Sequence, residues 1–324
     1  MTAFTEITYR VAGRVAVVSL ARPELANAVS RRTTRELDAA FQRACEDDAV
    51  GCILLRGEGA HFSSGHDLGS PASLSDSKSL LLIIVLLLLL LPSSYFFFFF
   101  FFFFAPLRLR LLTETAPQET DPRPRGAYLK WRNNDVEACL RWRRLRKPLV
   151  CALRGYCIYH GTVLAACADL CVAADDLRFM PSLVEANLFP WAVHLQAQKI
   201  KEILFTQRFV LAPEALALGI VNRVVPAAAL DGECMALCQL IAKGDGYHLW
   251  MMKKMVNAAQ DAAGMEGHVR AGLDTWTAFR RDWYEGAGRA VKTRDHGGDS
   301  KKLAPVKQSL RGEAWRLSLL ASRL

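Results

Sequence analysis

No two of the nine cysteines form a C-x-x-C pair. That leaves no zinc-knuckle or dithiol redox signature, and an odd count leaves no complete disulfide framework. Cys167 and Cys171, like Cys234 and Cys238, are four residues apart. On helices that spacing puts both thiols on one apolar face, so reduced, buried cysteines are expected. Residues 1–8 lack a basic start followed by an apolar core, so no secretory leader is read there. A basic stripe interleaved with aromatics is missing too. The net charge of +9 comes from scattered lysines and arginines, with small clusters at 141–147 and 301–307. This argues against a nucleic-acid partner and fits a basic enzyme with an anionic, phosphorylated ligand.

The chain has 324 residues, enough for a sizeable core and, by length alone, for about two domains. Residues 15–20 read as a strand and 22–30 as a loop. Ser30 is a suitable N-cap for a helix that puts Leu37, Ala40, Phe41 and Ala44 on one face. A strand at 52–55 feeds a loop at 62–68, an order that fits a parallel α/β layout. The pattern breaks at 79–112, where 80–91 is almost pure Leu, Ile and Val and 96–104 is unbroken phenylalanine. Pro92-Ser93-Ser94 interrupts this tract, whose residue types are those a pyrimidine-rich nucleotide sequence encodes. It is read as a low-complexity insertion rather than a membrane span.

Beyond a linker at 121–125, residues 131–146 form an expected amphipathic helix with Val136, Cys139, Leu140 and Trp142 on its apolar side. Further helices are expected at 199–208, between Pro213 and Gly219, and at 233–242, 247–261 and 268–283, with a short strand at 220–225. Residues 147–190 organise the rest. An apolar run, 149–153, ends at Arg154-Gly155, and the turn Tyr159-His160-Gly161 opens a helical segment bearing Val163, Ala166, Cys167 and Leu170. Strand, glycine turn and helix together aim unpaired backbone N–H groups and a positive dipole end at an anion. The site this predicts is of oxyanion type.

Two motifs carry a family resemblance. The first is His61-Phe62-Ser63-Ser64-Gly65-His66-Asp67-Leu68; the second is Lys147-Pro148, apolar residues, Gly155-Tyr156 and the Tyr159-His160-Gly161 turn. With Ala21-Arg22-Pro23, Ala26-Asn27-Ala28, the run 217–221 and Val224-Val225-Pro226, they resemble the crotonase (enoyl-CoA hydratase/isomerase) superfamily over about residues 5–260, outside the apolar tract.

The resemblance implies an α/β fold: a crotonase-like ββα spiral core over 1–226, carrying the insertion at 79–112. A C-terminal helical oligomerisation region at 227–286 and a basic tail at 287–324 would follow. It implies an acyl-CoA substrate, so that CoA arrives with the substrate and no separate cofactor or metal is expected. A homotrimer or hexamer is expected. The backbone N–H groups of His66 and His160 would hold the thioester oxyanion. Ala26, Ala28, Ser64, Gly65, Asp67, Leu68 and Gly161 would line the CoA and substrate site, with Arg22 a candidate phosphate partner and Asp67 an anchor of its loop.

One departure stands out. The family's two catalytic glutamates correspond to Val163 and Leu183, and neither can move a proton. Glu185, two residues on and facing the same way in an extended loop, is the first substitute. The His160 imidazole is the second, with Tyr159 and His194 behind it. Pro190-Trp191-Ala192 also stands where relatives carry Pro-Trp-Asp. The expected activity is that of an enoyl-CoA hydratase/isomerase of fatty-acid breakdown. A thioester hydrolase or decarboxylase on the same scaffold, or an inactive acyl-CoA-binding subunit, are the alternatives. The ending Ser322-Arg323-Leu324 is a small–basic–leucine tail of the kind a peroxisomal import receptor reads, with the cytoplasm as alternative location.

Overall fold

The first parallel pair of strands is built from residues that leave no polar face. In the computed structural model, which describes residues 4–67, 128–129, 131–181 and 195–275, all six residues of β2 (Val15–Leu20) are buried, and β3 (Cys52–Gly57) is buried at all but Arg56. Strands covered on both faces read as continuous apolar runs, as these do. The chain divides into two units, 1–273 and 274–324. Only Asp274 and Thr275 of the second are described, so the fold below is that of the first.

A six-stranded sheet runs β1 (Ile7–Ala12), β2, β3, β4 (Leu149–Leu153), β6 (Leu170–Ala174) and β9 (Arg223–Val225). β1 and β2 are antiparallel, joined at Gly13, and every later pairing is parallel. A smaller sheet of β5 (Tyr156–Ile158), β7 (Arg178–Met180) and β8 (Val210–Leu211) leaves the first just after Leu153. The sequence reading has no strand before Val15, because β1 buries only Ile7 fully and shows no clean alternation.

Ser30 caps α1 (Arg31–Glu46) as expected. Its hydroxyl accepts the N–H groups of Arg32 and Thr33 at 3.0 and 3.1 Å, while the Thr33 hydroxyl accepts the Ser30 N–H at 3.0 Å. Leu37, Ala40, Phe41 and Ala44 are buried, and Phe41 meets Trp142 edge-on, with centroids 5.7 Å apart at 78°. The expected helix over 131–146 is two pieces: a π-helical turn, Arg132–Glu137, running into α2, Ala138–Arg143. Its apolar side, Val136, Cys139, Leu140 and Trp142, is buried as the spacing predicts.

α3 (His160–Cys167) follows β5. After α4 (Ala197–Thr206), α5 (Ala212–Ala217) has Pro213 in its first turn and Gly219, at φ 72°, beyond its end. α6 (Leu230–Ile241) and α7 (Gly246–Ala262) precede a helix that begins at 265 and is described to 275. Leu230, Cys234, Cys238 and Ala242, spaced by four, lie on alternate residues of the main sheet: Val15 and Val17, Cys52 and Leu54, Val150 and Ala152, Val172 and Ala174. Helix α6 therefore closes the same core that begins at β2, and the boundary expected at 226 falls within one unit.

Cys234 and Cys238 share a helix face as expected; Cys167 and Cys171 do not. Ala168 is extended, and the Asp169 carboxylate accepts the Leu149 N–H at 2.8 Å, ending α3 and starting β6 beside β4. The two thiols therefore sit on different elements. All nine cysteines are free and eight are buried; burial pushes the Cys139, Cys151 and Cys157 thiols well above their ordinary value. Among the described residues no helix is long and apolar enough to cross a membrane. The tract at 79–112 and the tail 287–324 lie outside them.

Candidate active site: two loops meeting at a helix start

Asn27 builds the first loop. It takes a left-handed φ of 54°, its carboxamide oxygen accepts the Arg22 N–H at 3.0 Å, and its nitrogen donates to the carbonyls of Glu58 and His61, both at 2.8 Å. The second loop lies alongside. Val29 N–H donates to Gly65 O at 2.7 Å, Asp67 N–H to Val29 O at 2.9 Å, and Ser64 N–H to Ala26 O at 2.9 Å. Its other edge pairs with β5: Ser63 N–H reaches Tyr156 O at 2.9 Å and Ile158 N–H reaches Ser63 O at 3.1 Å. The Ser63 hydroxyl donates to Asn27 O at 2.9 Å and accepts Gly65 N–H at 3.1 Å. Residues 62–67 are thus held on both sides like a central strand. Ala26, Ala28 and Ser64 are half-buried along this seam.

The seam delivers Gly65 to the start of α3. Gly65 has φ 96°, and a methyl placed on it would lie 2.6 Å from Tyr159 Cβ and 3.2 Å from His160 N. Gly161 is as close to the other side of the loop, its virtual Cβ 3.0 Å from Ser63 O. Between them Tyr159 holds φ 49°, ψ −121°, a conformation that L-residues rarely adopt. That turn makes His160 the first residue of α3. Its N–H has no intrahelical acceptor there, and none among the described residues takes its place.

Side chains gather on the same spot. The His66 and His160 rings stack with centroids 4.1 Å apart at 24°, and Trp131 meets His66 edge-on at 5.0 Å. Asp135, from the π-helical turn, brings Oδ1 to 3.5 Å from His66 Nε2 and 3.8 Å from His160 Nδ1. Burial, then the neighbouring His66, holds the His160 imidazole well below its ordinary value, so it is neutral near pH 7. His66, Asp135 and His160 are the metal-competent group among the described residues, with one ligand atom each within 4.8 Å of the others. Imidazoles bind an ion in their ring planes, however, and two rings 24° from parallel do not aim both lone pairs at one point. The group fits a proton-carrying cluster better than a metal site.

Arg22 differs from its expected role. It is 6% exposed; its guanidinium donates to Asp67 at 2.8 Å and to Ala28 O at 2.9 Å, and lies 3.8 Å from Glu6. Rather than an outward phosphate partner, it is an internal clamp between the two loops. Asp67 is held in its loop by the Arg22 guanidinium and by its own N–H, which donates to Val29 O. Val163 is buried within α3. Leu68, Leu183, Glu185 and the 190–192 segment lie outside the described residues. The sequence reading missed Asp135. Its signal was a carboxylate immediately before Val136, next to the apolar side of an otherwise amphipathic helix.

A parallel β-spiral whose first-motif loop and helix start converge is the crotonase-type α/β fold. Comparison with known proteins is specific about the branch. The sequence profile of the enoyl-CoA hydratase/isomerase family matches residues 10–80 and 120–282 and skips the apolar tract. The Mycobacterium tuberculosis protein named as enoyl-CoA hydratase EchA13 is 29% identical over 311 residues, covering 90% of this chain and 86% of that one. A crystal structure from Mycobacterium thermoresistibile, described as an enoyl-CoA hydratase, superposes with a TM-score of 0.69 at 31% identity, over 87% of this chain and 98% of that one. An Arabidopsis thaliana protein named enoyl-CoA hydratase 1, peroxisomal, is 23% identical over 76% of each chain. The chain belongs to the enoyl-CoA hydratase/isomerase family, as an acyl-CoA enzyme of hydratase/isomerase type.

Proposed function

We propose that the protein acts on trans-2-enoyl-CoA thioesters of fatty-acid degradation and holds the developing thioester oxyanion between the His66 and His160 amides. The observation that carries this reading is the approach of Gly65 to His160, 3.2 Å from a virtual methyl to the amide nitrogen. So close an approach supports reading the amide that follows Gly65 as the partner of the open N–H of α3. Each such donor is worth about two to three decades of rate. The test is turnover of a trans-2-enoyl-CoA chain-length panel by wild type and Glu185→Gln. Turnover in wild type supports the reading, and collapse in the variant would give Glu185 the proton transfer. Binding of acyl-CoA without enoyl turnover would move the assignment to a hydrolase, a decarboxylase or an inactive binding subunit, the readings that the loss of a glutamate at Val163 favours.

Assembly and placement belong to the same proposal. Leu240 on α6 and Met252, Met255 and Val256 on α7 are exposed, and apolar side chains gathered at a surface mark an interface. They support a homotrimer or hexamer, for which light scattering should give three or six times the 36.0 kDa chain mass. The Ser322-Arg323-Leu324 ending and the peroxisomal Arabidopsis relative support import into peroxisomes. A fluorescent fusion that stays diffuse with these three residues intact would refute that placement.

A further inference from the structure

The oxyanion site leaves one buried cluster without a task. Asp135 is 8% exposed and points between two imidazoles rather than into water. A carboxylate taken out of water needs partners that carry or share a proton. We propose that His66, Asp135 and His160 are the proton-transfer unit of this enzyme: the His66 imidazole takes the proton α to the thioester carbonyl, Asp135 positions that imidazole, and His160 backs it by stacking. This rests on the thioester reading above.

Four observations favour it. His66 is the most open of the three, with 16% of its side chain exposed against 9% for Asp135 and 1% for His160. Its ring belongs to the residue whose amide is proposed to hold the substrate oxygen. Burial keeps the His160 ring neutral, and Asp135 Oδ1 lies nearer to His66 Nε2, at 3.5 Å, than to His160 Nδ1, at 3.8 Å. Finally, Val163 on α3 cannot carry a proton, whereas the π-helical turn brings the Asp135 carboxylate to the two rings. Such turns recur at functional sites.

In the step, on a saturated or 3-enoyl thioester, the α C–H bond breaks and its electron pair forms a π bond between the α carbon and the carbonyl carbon, as the carbonyl π pair moves onto the thioester oxygen held by the two amides and the proton passes to the imidazole. Its return to the α carbon regenerates the substrate. With a 3-enoyl chain, its return to the γ carbon shifts the double bond into conjugation.

The experiment is exchange of the α-protons of butyryl-CoA in D2O, followed by proton NMR on the full chain, with butyryl-CoA binding measured calorimetrically. Wild type should bind and exchange. His66→Gln keeps the backbone amide and should slow exchange by about 100-fold or more, with the dissociation constant within about threefold of wild type. Asp135→Asn should slow exchange by about tenfold or more, and Asp135→Glu should recover part of that loss; a merely structural Asp135 would change melting temperature and binding together instead. Exchange at the wild-type rate in His66→Gln overturns the proposal, as does collapse in Glu185→Gln while His66→Gln exchanges normally. Wild type that binds no butyryl-CoA overturns the thioester reading and this inference with it.

Discussion

Gly65→Ala should lower kcat on an enoyl-CoA substrate by about two to three decades, the cost of a misplaced oxyanion donor. The added methyl meets Tyr159 Cβ at 2.6 Å and Ile158 O at 3.1 Å. Neither atom is the far end of a flexible side chain, so relief requires separating loop 62–67 from the start of α3. That movement draws apart the two amides whose approach defines the site. Its left-handed φ of 96° adds a backbone cost of about 1–3 kcal/mol that only glycine avoids. Stability alone could then explain an activity loss, so Gly219→Ala serves as the control. Gly219 has φ 72° with nothing within 4 Å of a virtual Cβ, and it lies beyond α5. It should lower the melting temperature while leaving kcat unchanged. Steady-state kinetics and thermal melts on both variants separate strain from geometry. Equal kcat losses in the two would show that the Gly65 contact is ordinary packing.

How much of this was legible in the sequence depends on the range of the interaction that decides each feature. The buried runs 15–20, 52–55 and 149–153 are near-continuous apolar stretches, and the Ser30 cap and the α1 stripe are local rules; these read directly. The edge strand β1 did not, because only Ile7 is fully buried and its identity comes from pairing with β2. Cys167 and Cys171 shared helical spacing but not a helix, because the Asp169 carboxylate bonds the Leu149 N–H, twenty residues away, and that contact ends α3.

The candidate site divides the same way. The Gly65 and Tyr159-His160-Gly161 signatures are short and positionally strict, so the two segments that converge at the start of α3 could be named from sequence. The side chains around them could not. Asp135 belongs to a segment in which the expected α-helix winds as a π-turn, and no periodicity argument over 131–146 turns that carboxylate toward residues 66 and 160. The apolar tract, by contrast, announced itself by composition alone, and the family match breaks between 80 and 120, close to the span read as an insertion.

Arg22 was the residue most misjudged by pattern, and its replacement should be the most damaging to stability. Side-chain exposures of 7% and 3% put the Arg22–Asp67 pair out of water. Removing one partner leaves the other charge buried, at a cost of about 3–5 kcal/mol. Arg22→Met should lose that much in denaturant unfolding, because the guanidinium also carries the Ala28 carbonyl. The same 2.8 Å contact fastens the Ala26–Ala28 loop to the first-motif loop. Arg22→Met/Asp67→Leu should regain a large part of the loss, since replacing both members of a buried pair with apolar groups is often near neutral. A phosphate ligand on the CoA would behave otherwise: Arg22→Met would unfold at the wild-type denaturant midpoint with a raised KM for acyl-CoA, and the double variant would recover nothing. Arg22 lies behind the loops with its donors turned to Asp67 and Ala28 O. The first outcome therefore follows from the geometry, and the loops that shape the site are held from within the protein.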